Sequence, residues 1–171
     1  MKICQPFICL WGRKSEATLC SEFIPVIGQS LDVFVPMEIR TFRSLFQYLM
    51  ELSSQKPFNL VIDEFQEFYN INESVYSDMQ NIWDTYRKKS KMNLIVSGSV
   101  YSLMQKIFQN NKEPLFGRAD NIIKLSAFDL ATLKEIIFDY NPDYSNDDCL
   151  PSILLQGVFR NMLNCFVTTP N

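Results

Sequence analysis

Residues 58–64 of the chain read FNLVIDE, an apolar run that ends in two adjacent acids. Runs that are apolar at successive positions, rather than at alternate ones, are typical of strands buried on both faces of a parallel sheet. In α/β proteins, ligands bind at the carboxyl ends of such strands. The stretch therefore predicts a buried strand that presents Asp63 and Glu64 at the ligand-binding edge of a sheet.

Further strands are predicted on both sides of this stretch. Residues 93–96 (NLIV) form a second continuous apolar run, and residues 121–125 (NIIKL) and 6–11 (PFICLW) are compatible with two more strands. Residues 31–35 (LDVFV) predict a short strand of the kind found at a sheet edge.

Between the strands, apolar residues recur at helical spacing. This pattern predicts helices over residues 42–52 (with Thr41 as the N-cap), 75–86, 100–108 and 130–137. Strands that alternate with helices of this length predict an α/β fold with a parallel, three-layer sheet.

A polar segment marks the predicted end of this core. Residues 141–148 (NPDYSNDD) are rich in turn-forming residues, and residues 150–171 show only weak helical periodicity. We therefore expect residues 1–140 to form the core and residues 141–171 to form a linker followed by an incomplete helical piece.

Composition argues against several classes of protein. The chain has 171 residues, of which 47% are hydrophobic, so it can bury a core and is not expected to be disordered. Its formal charge of −3 gives no reason to expect DNA or an acidic membrane surface as a partner. No run approaches the ~18 apolar residues of a membrane-spanning helix, and we expect no signal peptide.

Cysteine and histidine usage narrows the chemistry. Five cysteines occur without a C-x-x-C pair, which favours reduced thiols in a cytoplasmic protein. The absence of histidine removes Ser-His-Asp and Cys-His nucleophiles and the commoner zinc sites. The remaining carboxylates, hydroxyls, amides and basic groups are those that phosphoryl transfer uses.

The paired acids suggest distinct roles. An Asp at a strand end, such as Asp63, can bind Mg²⁺ through water, because Mg²⁺ keeps most of its hydration shell. Glu64 leaves the strand in another direction and can orient an attacking water. The alternative interpretation is that Asp63 caps the following segment and that Glu64 is solvated.

Two serines and an arginine follow along the chain. Ser97 ends the second apolar run, where its hydroxyl can contact the attacking water or a γ-phosphate, and Ser99 is predicted to cap the next helix. Arg118 lies in a loop before a predicted strand and can neutralise a phosphoryl group as an arginine finger. Loop arginines are more often on the surface or in ion pairs, which is the alternative for Arg118.

The sequence contains no G-x-x-x-x-G-K-[ST], the glycine-bracketed loop whose backbone N–H groups wrap phosphates. Residues 11–15 (WGRKS) share its ending only in part, because Arg13 separates Gly12 from Lys14 and Phe7 stands where the first glycine is needed.

Taken together, these segments resemble a known family. Residues 57–68 (PFNLVIDEFQEF) resemble the Walker B segment of prokaryotic AAA+/STAND-type ATPases of the archaeal-ATPase-like group. Residues 93–99 resemble their sensor-1 strand, residues 113–118 the loop after it, and residues 13–17 the start of a helix downstream of the Walker A loop. The similarity covers roughly residues 12–148.

The resemblance implies a P-loop NTPase fold that lacks its first strand and its phosphate loop, with a partial helical lid at the C-terminus. It implies ATP and Mg²⁺ as cofactors, with Asp63 as the Mg²⁺ residue and Glu64 as the catalytic carboxylate. Ser97 becomes the sensor and Arg118 a candidate finger. Because Walker A is missing, we expect a truncated reading frame whose product binds nucleotide weakly and is inactive in isolation.

The sequence is also compatible with two other functions. A non-catalytic α/β interaction module derived from an ATPase predicts a protein partner or self-association. A hydrolase or phosphatase that uses Asp63 as the nucleophile is less favoured, because the neighbouring strand offers only Ser97 and Ser99.

Overall fold

The computed structural model describes residues 6–10, 14–124, 128–140 and 164–168. The described residues form five strands: β1 (Pro6–Leu10), β2 (Phe58–Asp63), β3 (Met92–Gly98), β4 (Asn121–Lys124) and β5 (Asn164–Thr168). They also form six helices: α1 (Glu16–Leu31), α2 (Phe42–Ser53), α3 (Phe68–Ile71), α4 (Ser74–Tyr86), α5 (Tyr101–Gln109) and α6 (Leu130–Tyr140). A 3-10 turn, Phe65–Glu67, links β2 to α3.

The strands form one sheet in the order β1-β2-β3-β5-β4. β1 pairs with β2 and β2 pairs with β3 in parallel, with Ile62 opposite Val96. β5 is antiparallel to both β3 and β4, so β4 runs in the same direction as β3. The predicted α/β class is confirmed, whereas the three-layer P-loop arrangement stays a prediction.

One predicted element is wrong, and a second is wrong over the part that the structure describes. Residues 31–35 do not form a strand, because Leu31 ends α1 and the chain then turns through Asp32; Leu31 and Val35 are buried, which produces the strand-like alternation. Of the helical piece predicted for residues 150–171, the structure describes 164–168, and these form β5. Phe166, Val167 and Thr168 belong to residue types that favour strands, and β5 makes the sheet mixed rather than wholly parallel.

The predicted helices of the core are confirmed. Thr41 is the N-cap of α2, and its hydroxyl oxygen accepts a hydrogen bond from the backbone N–H of Ser44 at 3.3 Å. The helices predicted over residues 75–86, 100–108 and 130–137 correspond to α4, α5 and α6. No helix in the described part of the chain combines the length and hydrophobicity that crossing a membrane requires.

An aromatic cluster packs directly beneath the end of β2. The ring of Phe65 lies 5.5 Å from Phe68, 5.4 Å from Tyr76 and 5.9 Å from Phe108, measured between centroids. Phe65 and Phe68 are fully buried, and the hydroxyl of Tyr76 donates to the carbonyl of Phe65 at 3.2 Å. Buried side chains of this size contribute roughly 2–3 kcal/mol each, so the turn after Glu64 is firmly anchored.

Candidate functional site

The carboxyl ends of β2 and β3 bring Asp63 and Ser97 together. The hydroxyl of Ser97 donates to Oδ1 of Asp63 at 2.5 Å, and the backbone N–H of Glu64 donates to the same oxygen at 3.0 Å. Among the described residues, no donor contacts Oδ2 of Asp63. One oxygen therefore fixes the carboxylate, and the other keeps its acceptor capacity.

Glu64 adopts an unusual backbone conformation. Its φ of 52° and ψ of 39° lie in the left-handed region, which costs a residue with a Cβ about 1–2 kcal/mol. Such a conformation persists only where the surroundings enforce it. Here, the parallel pairing of β2 with β1 up to Asp63 and the burial of Phe65 hold the chain on both sides of Glu64.

The Glu64 carboxylate is held in the same one-sided way as that of Asp63. Its Oε2 accepts hydrogen bonds from the hydroxyl of Ser99, at 2.7 Å, and from Nε2 of Gln66. Within the described residues, Oε1 accepts none. Each carboxylate of the pair therefore uses one oxygen for attachment and leaves the other available.

Gln66 is a member of the site that the sequence patterns do not predict. It is 1% exposed, and its Nε2 lies between Oε2 of Glu64 and the hydroxyl of Ser99, 3.5 Å from the latter. Its Oε1 is buried and finds no hydrogen-bond partner within the described part of the chain. A polar residue between the apolar Phe65 and Phe68 is the sequence signal that could have revealed it.

Gly98 leaves the space that Gln66 occupies. A Cβ at position 98 would lie 2.2 Å from Oε1 of Gln66 and 2.6 Å from Sδ of Met104. The glycine therefore serves close side-chain approach rather than an unusual backbone angle.

The predicted helix cap at Ser99 is wrong. α5 begins after Val100, which makes no side-chain capping hydrogen bond, and the Ser99 hydroxyl donates to Glu64 instead. A charged acceptor forms a stronger hydrogen bond than a neutral backbone group does. Ser99 thus belongs to the site together with Ser97.

Arg118 is not among the side chains that contact this group. Its Nη2 lies 2.7 Å from Oδ2 of Asp84 and its Nε lies 3.0 Å from Oδ1, a two-bond ion pair. Its Nη1 also donates to the carbonyl of Pro114 at 2.8 Å. A role as an arginine finger stays a prediction, and it would require release of Arg118 from Asp84.

The arrangement suits a particular kind of metal. No group of three or more His, Cys, Asp or Glu side chains converges anywhere in the described ranges, so these residues build no all-protein cage. Mg²⁺ needs none, because it is commonly bound by one or two carboxylates together with waters and phosphates. Oδ2 of Asp63 fits such an ion, because no donor from the described residues contacts it.

Part of the chain is similar to an archaeal protein. A segment of 76 residues is 36% identical to an uncharacterized protein of Methanocaldococcus jannaschii; it covers 44% of this chain and only 17% of that protein. No protein-family model matches the chain, and no solved structure matches it.

Proposed function

We propose that the chain carries the magnesium-binding and water-activating part of an AAA+/STAND-type ATPase site. The observation that carries the proposal is the paired attachment of the two carboxylates. Asp63 and Glu64 are each fixed through one oxygen, and their second oxygens remain free of donors from the described residues. Fixed acceptors of this kind require no reorganisation when a ligand binds.

In this proposal the two acids differ in role. Asp63 would hold Mg²⁺ through waters that hydrogen-bond to its Oδ2, and Ser97 keeps the carboxylate in place. Oε1 of Glu64 accepts a hydrogen bond from the attacking water and orients it. When bound, Mg²⁺ neutralises charge on the phosphates of ATP.

The expected activity of the chain by itself is low. The sequence contains no G-x-x-x-x-G-K-[ST], so it lacks the lysine and most of the backbone N–H groups that hold phosphates. We therefore expect a dissociation constant for ATP well above the micromolar range, and no measurable hydrolysis. We place this protein in the cytoplasm, where the thiol of Cys20, which is free and buried, would stay reduced.

Equilibrium binding of a fluorescent ATP analogue, with and without Mg²⁺, tests the proposal. We expect weak binding that depends on Mg²⁺, because the ion links the phosphates to Asp63. Asp63→Asn should abolish the Mg²⁺ dependence. Glu64→Gln should preserve it, because water activation is not needed for binding.

Three results would count against this site. Binding with submicromolar affinity would contradict the expected weakness, since it would mean that other residues hold the phosphates. If Asp63→Asn bound the nucleotide with the affinity and Mg²⁺ dependence of the wild type, Asp63 would not belong to the site. Absence of any Mg²⁺-dependent binding at millimolar nucleotide would refute the proposed function.

A second candidate function is a non-catalytic interaction module. Among the described strands β4 pairs only with β5, so its other edge is unpaired, and Ile122 and Ile123 are 43% and 46% exposed. Apolar side chains on an unpaired edge favour association with another chain. Light scattering at several concentrations should then show self-association that Ile123→Lys reduces, and a monomer at every concentration would contradict this function.

A further inference from the structure

β4 ends at the same edge of the sheet as β2 and β3. Gly98 of β3 lies opposite Asn164 of β5, and Asn164 lies opposite Lys124 of β4. Because neighbouring strands lie about 4.8 Å apart, the Cα of Lys124 lies roughly 10 Å along this edge from that of Gly98. The register therefore places a lysine on the edge that presents Asp63 and Glu64.

The ammonium group of Lys124 contacts the first residue of α5. Its Nζ lies 4.6 Å from the centroid of the Tyr101 ring. Tyr101 begins α5 two residues after Ser99, whose hydroxyl contacts Glu64. The face of an aromatic ring attracts a cation, so Tyr101 holds the ammonium next to the start of α5.

Lys124 differs from Arg118 in being unpaired. Within the described residues, no carboxylate forms an ion pair with Lys124, whereas Arg118 is bound to Asp84. The Lys124 side chain is also exposed. It can therefore bind an incoming anion without first breaking an ion pair.

We propose that Lys124, positioned by Tyr101, is an anion-binding residue of the Asp63–Glu64 site that contacts the phosphates of a magnesium-bound nucleotide. The inference rests on the proposed function. Lysine binds phosphate as a point charge. Because β4 is the third strand from β2 in the sheet, Lys124 would contact the end of a phosphate chain that lies farthest from Asp63. Lys124 thus supplies part of the positive charge that a phosphate loop would otherwise provide.

The test compares two charge-removing variants in the binding measurement with Mg²⁺ and a fluorescent ATP analogue. Lys124→Gln should weaken binding about tenfold, as expected for the loss of one charge-assisted hydrogen bond. Lys91→Gln is the matched control and should bind like the wild type, because Lys91 directly precedes β3 and lies at the opposite edge of the sheet.

The salt dependence of binding distinguishes the loss of a charge from a change in structure. Salt screens an ionic contact, so raising KCl should weaken binding less in Lys124→Gln than in the wild type, while Lys124→Arg should retain the wild-type dependence. Tyr101→Leu should weaken binding in part, and Tyr101→Phe, which keeps the ring, should not.

The outcomes also distinguish this inference from the function on which it rests. If Lys124→Gln binds like the wild type while Asp63→Asn loses its Mg²⁺ dependence, the role of Lys124 is refuted and the site remains. If the wild type shows no Mg²⁺-dependent binding, both proposals fail. Equal weakening by Lys91→Gln would show a general effect of net charge and would refute the specific contact.

Discussion

Two non-glycine residues in the described ranges adopt left-handed backbone conformations, and they do so for different reasons. Asp32 has a φ of 49° and follows the last residue of α1, where its backbone N–H donates to the carbonyl of Gly28. Left-handed residues commonly end helices in this way. Glu64 has a φ of 52° but follows a strand and caps no helix through its side chain.

The surroundings of the two residues differ as well. Asp32 is exposed, and its conformation is explained by the end of α1 alone. Glu64 lies beside the buried Gln66, and its carboxylate accepts hydrogen bonds from Gln66 and Ser99. The left-handed conformation of Asp32 is therefore explained by the end of a helix. At Glu64 the same conformation directs the carboxylate toward Ser99.

The largest expected difference between the two regions concerns their glycines. Gly98→Ala should lower the free energy of unfolding by about 1–3 kcal/mol, because the added Cβ would collide with the buried side chains of Gln66 and Met104. Gly28→Ala, near Asp32, is the control. There the Cβ meets only the carbonyl of Val33 at 3.2 Å, and alanine's higher helix propensity offsets this contact.

Urea unfolding of both variants measures this difference. A change within about 1 kcal/mol for Gly28→Ala is expected. Equal losses in the two variants would mean that the packing around Gln66 is no tighter than that at the end of α1.

A second prediction concerns the stability of the α1 region at alkaline pH, because α1 buries the thiol of Cys20. Burial raises the pKa of Cys20 from 9.0 to about 11, with a smaller contribution from the charge of Glu16. Above pH 9 the unfolded chain releases the thiol proton and the folded chain keeps it, so stability falls as the pH rises from 9 to 11. At pH 10.5 the loss from this group is about 2 kcal/mol.

Urea unfolding at pH 8 and pH 10.5 measures this loss, with Cys20→Ala as the control. Burial also raises the pKa of Tyr76, which adds to the loss in both proteins and cancels in the comparison. The wild type should lose about 2 kcal/mol more than Cys20→Ala does. Equal losses would show that Cys20 is not buried as described.

The smallest expected effects come from replacing the two left-handed residues themselves. Asp32→Gly should raise the free energy of unfolding by about 0.5 kcal/mol, because relief of the backbone strain exceeds the added flexibility of the unfolded chain. Glu64→Gly relieves the same strain but removes the acceptor of the buried Nε2 of Gln66. The net result should be a loss of about 1 kcal/mol.

Thermal unfolding of the two glycine variants, side by side, measures these opposite signs. Stabilisation by Glu64→Gly equal to that by Asp32→Gly would show that the hydrogen bonds of the Glu64 carboxylate contribute little to the fold.

The sequence predicts the strands of this fold where the apolar signal is continuous. β2 and β3 are uninterrupted strands in which every residue is buried or half-buried. Their ends therefore identify Asp63 and Ser97 correctly as neighbours. β5 could not be predicted in the same way, because a short segment becomes a strand only when it fits between β3 and β4. Propensity in such a segment is overridden by long-range pairing.

The roles of Ser99 and Gln66 could not be predicted from the sequence for a related reason. A serine directly before a helix is expected to act as its N-cap. The Ser99 hydroxyl instead donates to Glu64, which the fold brings close to it from the end of β2. Gln66 is separated from Ser99 by 33 positions in sequence. Contacts of this kind depend on tertiary structure, which local patterns do not encode.

The position of β5 also affects the order in which this sheet can fold. Among the described residues, β4 is hydrogen-bonded to the rest of the sheet only through β5, although β4 precedes β5 in the chain. Gly98 of β3 pairs with Asn164 of β5, which lies far away in sequence. This pairing can form only after the long intervening segment has closed into a loop. High contact order slows folding. During synthesis, β1, β2 and β3 can therefore assemble early, whereas β4 remains an unattached strand until β5 has emerged from the ribosome.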